Sequence, residues 1–216
     1  MSPSAQGLAL VISAPSGAGK STLVHRLLEA YPEFSFSVSC TTRAPREGEK
    51  DGREYHFLSR ERFEELIGQG YFAEWAEVHG NLYGTPLESV EQILGRGGHL
   101  IFDIDVQGAA QLRTTLSSAA FVFILPPSVE ELRYRLTGRG SDPDSTIVRR
   151  LEDARKELEH APRFDYWIVN DDLDRAFEEL CCLYRAESCR SERNPQLYER
   201  LVQCAVEVLQ SQSGSQ

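Results

Sequence analysis

Eight consecutive residues, Ala14-Pro15-Ser16-Gly17-Ala18-Gly19-Lys20-Ser21, followed by Thr22, have the makings of a phosphate cradle. Glycines let a backbone curl until successive N–H groups point at one anion, and a helix that starts at the end of the curl adds the positive end of its dipole. In such a P-loop the lysine bridges phosphate oxygens and the next hydroxyl ligates Mg²⁺, roles that fall here to Lys20 and Ser21. The match departs from the pattern only at its first residue, where Ala14 replaces glycine. That exchange is mild provided the position does not need a positive φ. An ordinary glycine-rich turn would have the same composition, so the elements on either side decide between the two readings.

Those elements fit the cradle. Residues 8–12 form a continuous apolar run, the pattern of a strand buried on both faces. Residues 21–31 carry Leu23, Leu27 and Leu28 on one helical face and stop at Pro32. Residues 34–40 alternate as a short strand, and 41–52 are polar and rich in turn formers, an exposed loop. From 55 to 84 the pattern becomes that of a small mixed β unit: Tyr55-His56-Phe57, a helix with Phe63, Leu66 and Ile67, an alternating run over 71–78, and a Gly80-Asn81 turn. Thr85-Pro86-Leu87-Glu88 reads as a capping box opening the next helix, as does Ser128 with Glu131. Apolar runs at 100–102, 121–125 and 166–169 supply further strands, and the first leads into Asp103-Ile104-Asp105, carboxylates at a strand's carboxyl end. Residues after Asp172 are helical, a last helix follows Pro195 with Leu197, Leu201, Ala205 and Val208 on one side, and 211–216 read as a disordered tail.

Strands alternating with helices predict an α/β fold in three layers, with a mainly parallel five-stranded core sheet, an inserted small mixed-β subdomain and a helical lid. The expected division is a domain over 1–187, made of a core (1–40, 86–137 and 160–187), the inserted unit (41–85) and a lid (138–159), followed by a helical extension and tail over 188–216.

Composition narrows the function classes. The 216 residues are 41% hydrophobic and 26% charged, enough for one full-sized core, and the formal net charge is -10. An acidic surface repels polyanions, so nucleic acid and anionic membrane are not expected partners, and any phosphate ligand must be held by a local basic cluster. The five cysteines form no C-x-x-C pair, which argues against zinc or a disulfide framework and for a reducing compartment. Residues 1–7 lack a basic leader, and the run at 8–12 is too short for a signal core or a membrane span, so a cytoplasmic location is expected.

A P-loop gives a nucleotide-binding class and does not name a reaction. The next segments say more. Ser37-Val38-Ser39-Cys40-Thr41-Thr42-Arg43-Ala44-Pro45-Arg46-Glu47-Gly48-Glu49, then Gly52 and Tyr55-His56-Phe57, closely resemble the signature of guanylate kinases. The resemblance continues through Glu74-Trp75-Ala76, Gly80-Asn81-Leu82-Tyr83-Gly84-Thr85, Asp103-Ile104-Asp105-Val106-Gln107-Gly108, Pro126-Pro127-Ser128, Gly138-Arg139-Gly140 and Ile168-Val169-Asn170-Asp171-Asp172, over about residues 8 to 187. It implies transfer of the γ-phosphoryl group of ATP to GMP, and to dGMP, with Mg²⁺ as cofactor. It also implies that Arg43, Arg46, Tyr55 and Tyr83 hold the GMP phosphate, that Glu74 and Asp105 read the guanine donors, and that Ser39 and Thr85 add hydroxyls. Glu49 and Asp103 belong to the same implied GMP-binding set. Two guanidinium forks suit a dianion, and carboxylates suit a base that presents N1–H and an exocyclic amine. Adenine, with an acceptor at N1 and no N2 amine, would leave these acids unpaired.

By the same resemblance Lys20, Arg43, Arg139 and Arg150 are the catalytic cations, the last two closing over the transferring group from the lid. Asn170 is expected to position the donor adenine or the lid, or else simply to belong to a strand-end turn. Phosphoryl transfer needs positioning and charge neutralisation and no covalent intermediate. Two rivals stay open on sequence grounds: another small-molecule kinase with the same cradle, separated only by Glu74 and Asp105, and a scaffold of this fold that binds phosphorylated protein segments without chemistry. A GTPase is disfavoured because no N-K-x-D motif accompanies the cradle. Homo-oligomerisation through the last helix is also left open.

Overall fold

The computed structural model describes residues 6–35, 38–53, 55–78, 80–137 and 144–213. In chain order the elements are β1 (Ala9–Ser13), α1 (Lys20–Ala30), β2 (Phe34–Ser35), β3 (Cys40–Thr41), β4 (His56–Phe57), α2 (Arg60–Gly68), β5 (Phe72–Val78), β6 (Asn81–Pro86), α3 (Leu87–Gly95), β7 (His99–Asp103), α4 (Val106–Thr115), β8 (Ala120–Leu125), α5 (Val129–Thr137), α6 (Asp144–Leu158), β9 (Tyr166–Val169), α7 (Leu173–Ser188) and α8 (Pro195–Ser213). β2, β7, β1, β8 and β9 lie in that order in one all-parallel sheet. β4, β3, β6 and β5 form a second, mixed sheet. Helices cover both faces of the first sheet, which is the three-layer α/β fold expected from the sequence.

The apolar run at the start of the chain works because successive side chains of a strand leave on opposite faces. Leu8, Leu10 and Ile12 pack with Leu23, Leu27, Leu180 and Tyr184 from α1 and α7. Ala9 and Val11 pack with Val90, Leu112 and Phe121 on the α3 and α4 side. β1 is thus the buried central strand, and the loop that leaves its carboxyl end is held from both faces. A separate small core, Cys40, Phe63, Leu66, Phe72 and Leu82, fastens α2 to the second sheet. Burial there pushes the Cys40 thiol up to about 11, so it serves as neutral filling.

Three local expectations are corrected. Residues 34–40 do not make one strand: Phe34–Ser35 pairs with β7 in the first sheet and Cys40–Thr41 with β4 and β6 in the second, so the chain changes sheets here. The exposed loop accordingly starts after Thr41, which is buried. Thr85 does not cap α3; it belongs to β6, the N-cap is Pro86 with no side-chain cap, and the Thr85 hydroxyl donates to Glu74 at 2.7 Å. A buried carboxylate is a better partner than a solvated helix end. The tail expected over 211–216 is also shortened, since α8 runs on to Ser213. Ser128, by contrast, does cap α5, accepting from the Glu131 N–H at 3.1 Å. Residues 138–143, including the Gly138-Arg139-Gly140 segment, lie outside the described residues, and the rest of the expected lid is α6. Among the described residues no helix is long and apolar enough to cross a membrane.

The segment after Glu187 is tied to the core by one buried guanidinium. Arg193 donates to the carbonyls of Glu187 (2.9 Å), Gly7 (3.2 Å) and Ser118 (2.8 Å) and pairs with the buried Glu187 carboxylate. Removing one partner of such a pair leaves an uncompensated buried charge. Arg193→Ala is therefore expected to cost about 3 kcal/mol or more of unfolding free energy; urea denaturation checks it, and a loss within error of zero would contradict the packing.

Candidate active site

The P-loop forms as its residue types require. Gly17 and Gly19 have φ of +92° and +94°, the left-handed region that glycine enters without strain. Gly19 is fixed a second time, since a Cβ there would stand 2.2 Å from the Asn170 amide nitrogen. Ala14 is buried among the apolar residues beside β1, so its methyl group fills the core where the pattern has glycine. The cradle opens into a cavity of about 260 Å³ lined by residues 14–17 and 19–22 together with Asp105 and Glu157. Lys20 reaches across its floor to the end of β7, donating to the Ile104 carbonyl at 3.1 Å and pairing with the Asp103 carboxylate.

Two residues of α6 reach back to the same loop. Arg150 donates to the Ser16 hydroxyl at 3.3 Å, and the Glu157 carboxylate accepts from the Ser16 N–H at 3.2 Å. Burial first, opposed by the Ser16 bond and by Lys20, raises Glu157 above the usual carboxylate range. Sequence reasoning missed Glu157, because 141 residues separate it from Ser16 and only the fold joins them. It also missed Arg135, which bonds the Asn170 carbonyl at 3.0 Å. Asn170 itself is buried, and its amide donates to the Ala18 carbonyl at 2.8 Å, bracing the cradle from behind.

The second cavity, about 530 Å³, lies between the two sheets and shares Asp105 with the first. Ser39, Tyr55, Glu74, Tyr83, Thr85, Asp103 and Asp105 all line it. Glu74 comes from β5 and Thr85 from the strand paired with it, which puts the two side by side; Ser39 and Thr85 hydroxyls are 3.2 Å apart. Gly108, quoted in the motif but given no site role there, lies close enough that a Cβ there would come 3.4 Å from Glu74 Oε2 and 3.5 Å from Asp105 Oδ1. Asp105 caps α4, accepting from the Gln107 and Gly108 N–H groups at 3.0 and 2.8 Å. Burial, the neighbouring Asp105 charge adding to it and the Thr85 bond opposing it, raises Glu74.

Beside Tyr55, one Arg43 nitrogen donates to both Glu49 oxygens (2.8 and 3.0 Å), and that carboxylate also accepts from the Arg46 N–H at 2.7 Å. That guanidinium, as first cause, holds Glu49 below the usual carboxylate range. The Tyr55 and Tyr83 rings meet edge to face with centroids 6.0 Å apart, and the Arg43 guanidinium lies 5.5 Å from the Tyr55 ring. Arg46 is exposed on the loop beside them. The structure therefore gathers residues 14–17 and 19–22 around the cradle and Ser39, Tyr55, Glu74, Tyr83, Thr85, Asp103 and Asp105 around the pocket, the two meeting at Asp105, while Arg43, Arg46 and Glu49 line neither cavity and Arg150 and Asn170 reach the cradle through Ser16 and Ala18. Arg139 lies outside the described residues.

The comparisons with known proteins accord with this geometry. The family model "Guanylate kinase" matches residues 6–187. The chain belongs to the guanylate kinase family. It is 56% identical over 197 residues to a guanylate kinase of Oleidesulfovibrio alaskensis, covering 91% of this chain and 96% of that one. Against a guanylate kinase of Rhizobium meliloti it is 50% identical over 195 residues, covering 90% and 89%. The crystal structure of guanylate kinase from Anaplasma phagocytophilum superposes with a TM-score of 0.66 at 37% identity, covering 88% of this chain and 90% of that one.

Two predictions arise here. The raised Glu74 means that ionising it costs the folded state free energy, a penalty absent below the ordinary carboxylate range that builds up as pH rises above it. Glu74→Gln should thus be no less stable than the parent at pH 7 in thermal melts, with any advantage vanishing by about pH 4, and should lose GMP binding; a variant clearly less stable at pH 7 would contradict the assignment. Glu157 sets a negative charge where phosphates would enter, so Glu157→Gln should lower the KM for ATP several-fold, on the order of the 1 kcal/mol that such a charge exerts in a solvated setting. Steady-state kinetics checks it, and a raised KM would show that the carboxylate assists binding.

Proposed function

We propose that the cradle takes ATP and the 530 Å³ pocket takes GMP or dGMP, and that the chain moves the γ-phosphoryl group from the first to the second, yielding ADP and GDP. The observation that carries this reading is the shared wall at Asp103, Ile104 and Asp105: Lys20 binds it from the cradle side, and the carboxylates line the acceptor pocket. Two phosphate sites back to back across one strand end are what an in-line transfer requires.

In the acceptor pocket Glu74 and Asp105 accept from guanine N1–H and the N2 amine, with the Thr85 and Ser39 hydroxyls alongside. Arg43, Arg46, Tyr55 and Tyr83 bind the monophosphate, and Glu49 holds Arg43 in place before the substrate arrives. Asp103 acts by fixing Lys20. Residues 41–85 serve as the GMP-binding unit, and 138–159 as the lid that brings Arg139 and Arg150 over the transferring group and excludes water. Arg150 already touches the cradle at Ser16. Asn170 acts through the cradle backbone rather than on the adenine.

The Ser21 hydroxyl lines the cradle beside Lys20 and is a hard oxygen donor of the kind that suits Mg²⁺. Mg²⁺ bound with ATP neutralises phosphate charge as the transfer proceeds, and Ser21 is the residue that would ligate it. The reaction runs in the cytoplasm, a reducing setting compatible with the five free cysteines.

The test is a coupled assay for ADP with Mg-ATP and GMP, dGMP, AMP, CMP or UMP in turn. Turnover is expected with GMP and dGMP, and turnover with AMP but not GMP would overturn the guanine assignment. Lys20→Ala should lower kcat by about 10³-fold or more, in line with the loss of one phosphate-clamping cation, with an unchanged circular dichroism spectrum.

A further inference from the structure

β5 is the outermost strand of the second sheet, after β4, β3 and β6. One of its edges pairs with β6, and the other presents backbone N–H and C=O groups that need partners from elsewhere. In an antiparallel pair, alternate residues turn both groups toward the neighbouring strand and away from it. Trp75 turns away, and α4 meets it with a side chain. The Gln111 amide donates to the Trp75 carbonyl at 2.8 Å, and its Oε1 accepts from the Trp75 N–H at 3.0 Å. A carboxamide carries donor and acceptor side by side, as a backbone peptide does, so Gln111 stands in for a missing strand. One helical turn on, the Thr115 hydroxyl donates to the Ala73 carbonyl at 3.0 Å.

Glu74 lies between these two ties. The Trp75 N–H belongs to the planar peptide unit that joins Glu74 to Trp75, so a bond to it limits rotation about the Glu74 Cα–C bond. The Trp75 side chain packs on the small core with Phe63 and Phe72, and successive strand side chains leave on opposite faces, which sends the Glu74 carboxylate into the 530 Å³ cavity. Asp105, another acid lining that cavity, is the N-cap of the helix that carries Gln111. One helix thus holds both carboxylates, Asp105 through the Gln107 and Gly108 N–H groups and Glu74 through the Trp75 backbone. Like charges repel, so an edge strand free to yield would carry the two acids apart.

With GMP assigned to this cavity, a reading on which the inference rests, we infer that Gln111 is a positioning residue for the acceptor base. Its two bonds to the Trp75 backbone fix Glu74 relative to Asp105, and with that the preference for a purine presenting both N1–H and an exocyclic N2 amine. Gln111 lines neither cavity, so it acts through the strand. A tie of purely structural value would lower stability when cut and leave the choice of base where it was.

The experiment is steady-state kinetics of the full chain with Mg-ATP and either GMP or inosine monophosphate, which offers N1–H and lacks the N2 amine. The chains compared are the parent, Gln111→Met, which keeps the length of the side chain without either bond, and Thr115→Val. For Gln111→Met the KM for GMP should rise on the order of ten-fold and the ratio of kcat/KM for GMP to that for inosine monophosphate should fall about three-fold or more, with the KM for ATP within about two-fold of the parent. Thr115→Val, whose hydroxyl also bonds its own helix at Leu112, should lower the ratio by less, about two-fold. KM values and the ratio do not depend on how much of a variant is folded, so a destabilised variant still reports. GMP turnover by the parent with an unchanged ratio in Gln111→Met overturns the inference and leaves the pocket assignment standing. A parent that turns over no GMP overturns the pocket assignment and the inference with it. Should Gln111→Met lack a folded circular dichroism spectrum, Thr115→Val decides: an unchanged ratio there likewise overturns the inference.

Discussion

The placement of one ammonium organises this molecule. Lys20 stands where a glycine-rich curl turns into a helix, and it is held from the far side by the Ile104 carbonyl and the Asp103 carboxylate at the end of β7. Two polyanions can approach each other only if their charge is met by fixed cations in a cavity that costs nothing to reorganise. Everything around Lys20 serves that end. β1 and β7 pair in register from Ala9 with Leu100 to Ile12 with Asp103, which sets the two strand ends side by side. Asn170 and Arg135 brace the loop from behind, while Gly17 and Gly19 give it its curl.

The acceptor side follows a different logic, in which unfavourable burial is used for recognition. Burial and the Asp105 charge disfavour the ionised form of Glu74, only partly offset by the Thr85 bond. A ligand with two N–H donors relieves that cost, and a ligand with an acceptor in the same place adds to it. On the proposed assignment, selectivity rests on a site that is uncomfortable when empty. The small core under the second sheet, Phe63 against Phe72 with ring centroids 4.4 Å apart, keeps that strand pair from relaxing.

Much of this was legible in the sequence where the determinants are local or periodic. The cradle, its flanking strand and helix, and the five parallel strands follow from apolar runs, turn residues and spacing within short windows. What escaped depends on distant contacts. Thr85 looks like a helix cap in its own tetrapeptide, and only the pairing of β5 with β6 shows that it bonds Glu74. The stretch from Phe34 to Cys40 alternates like one strand, yet its ends pair in different sheets. Glu157 and Arg135 have no local signal; their roles arise from contacts with Ser16 and Asn170 that the fold alone creates. Arg193, in a segment read as an appendage, proves to be a buried tie between Gly7 and Ser118.

The central claim is that two nucleotides meet across residues 103–105 with Lys20 between their phosphates. A crystal structure with a bisubstrate ligand, adenosine joined to guanosine through a chain of phosphates, tests this in one step. The account predicts guanine against Glu74 and Asp105, the phosphate chain passing Lys20 inside the curl of residues 14–21, and Arg43 turned from Glu49 toward the acceptor phosphate. Guanine bound away from Glu74, or phosphates lying outside the curl, would contradict it.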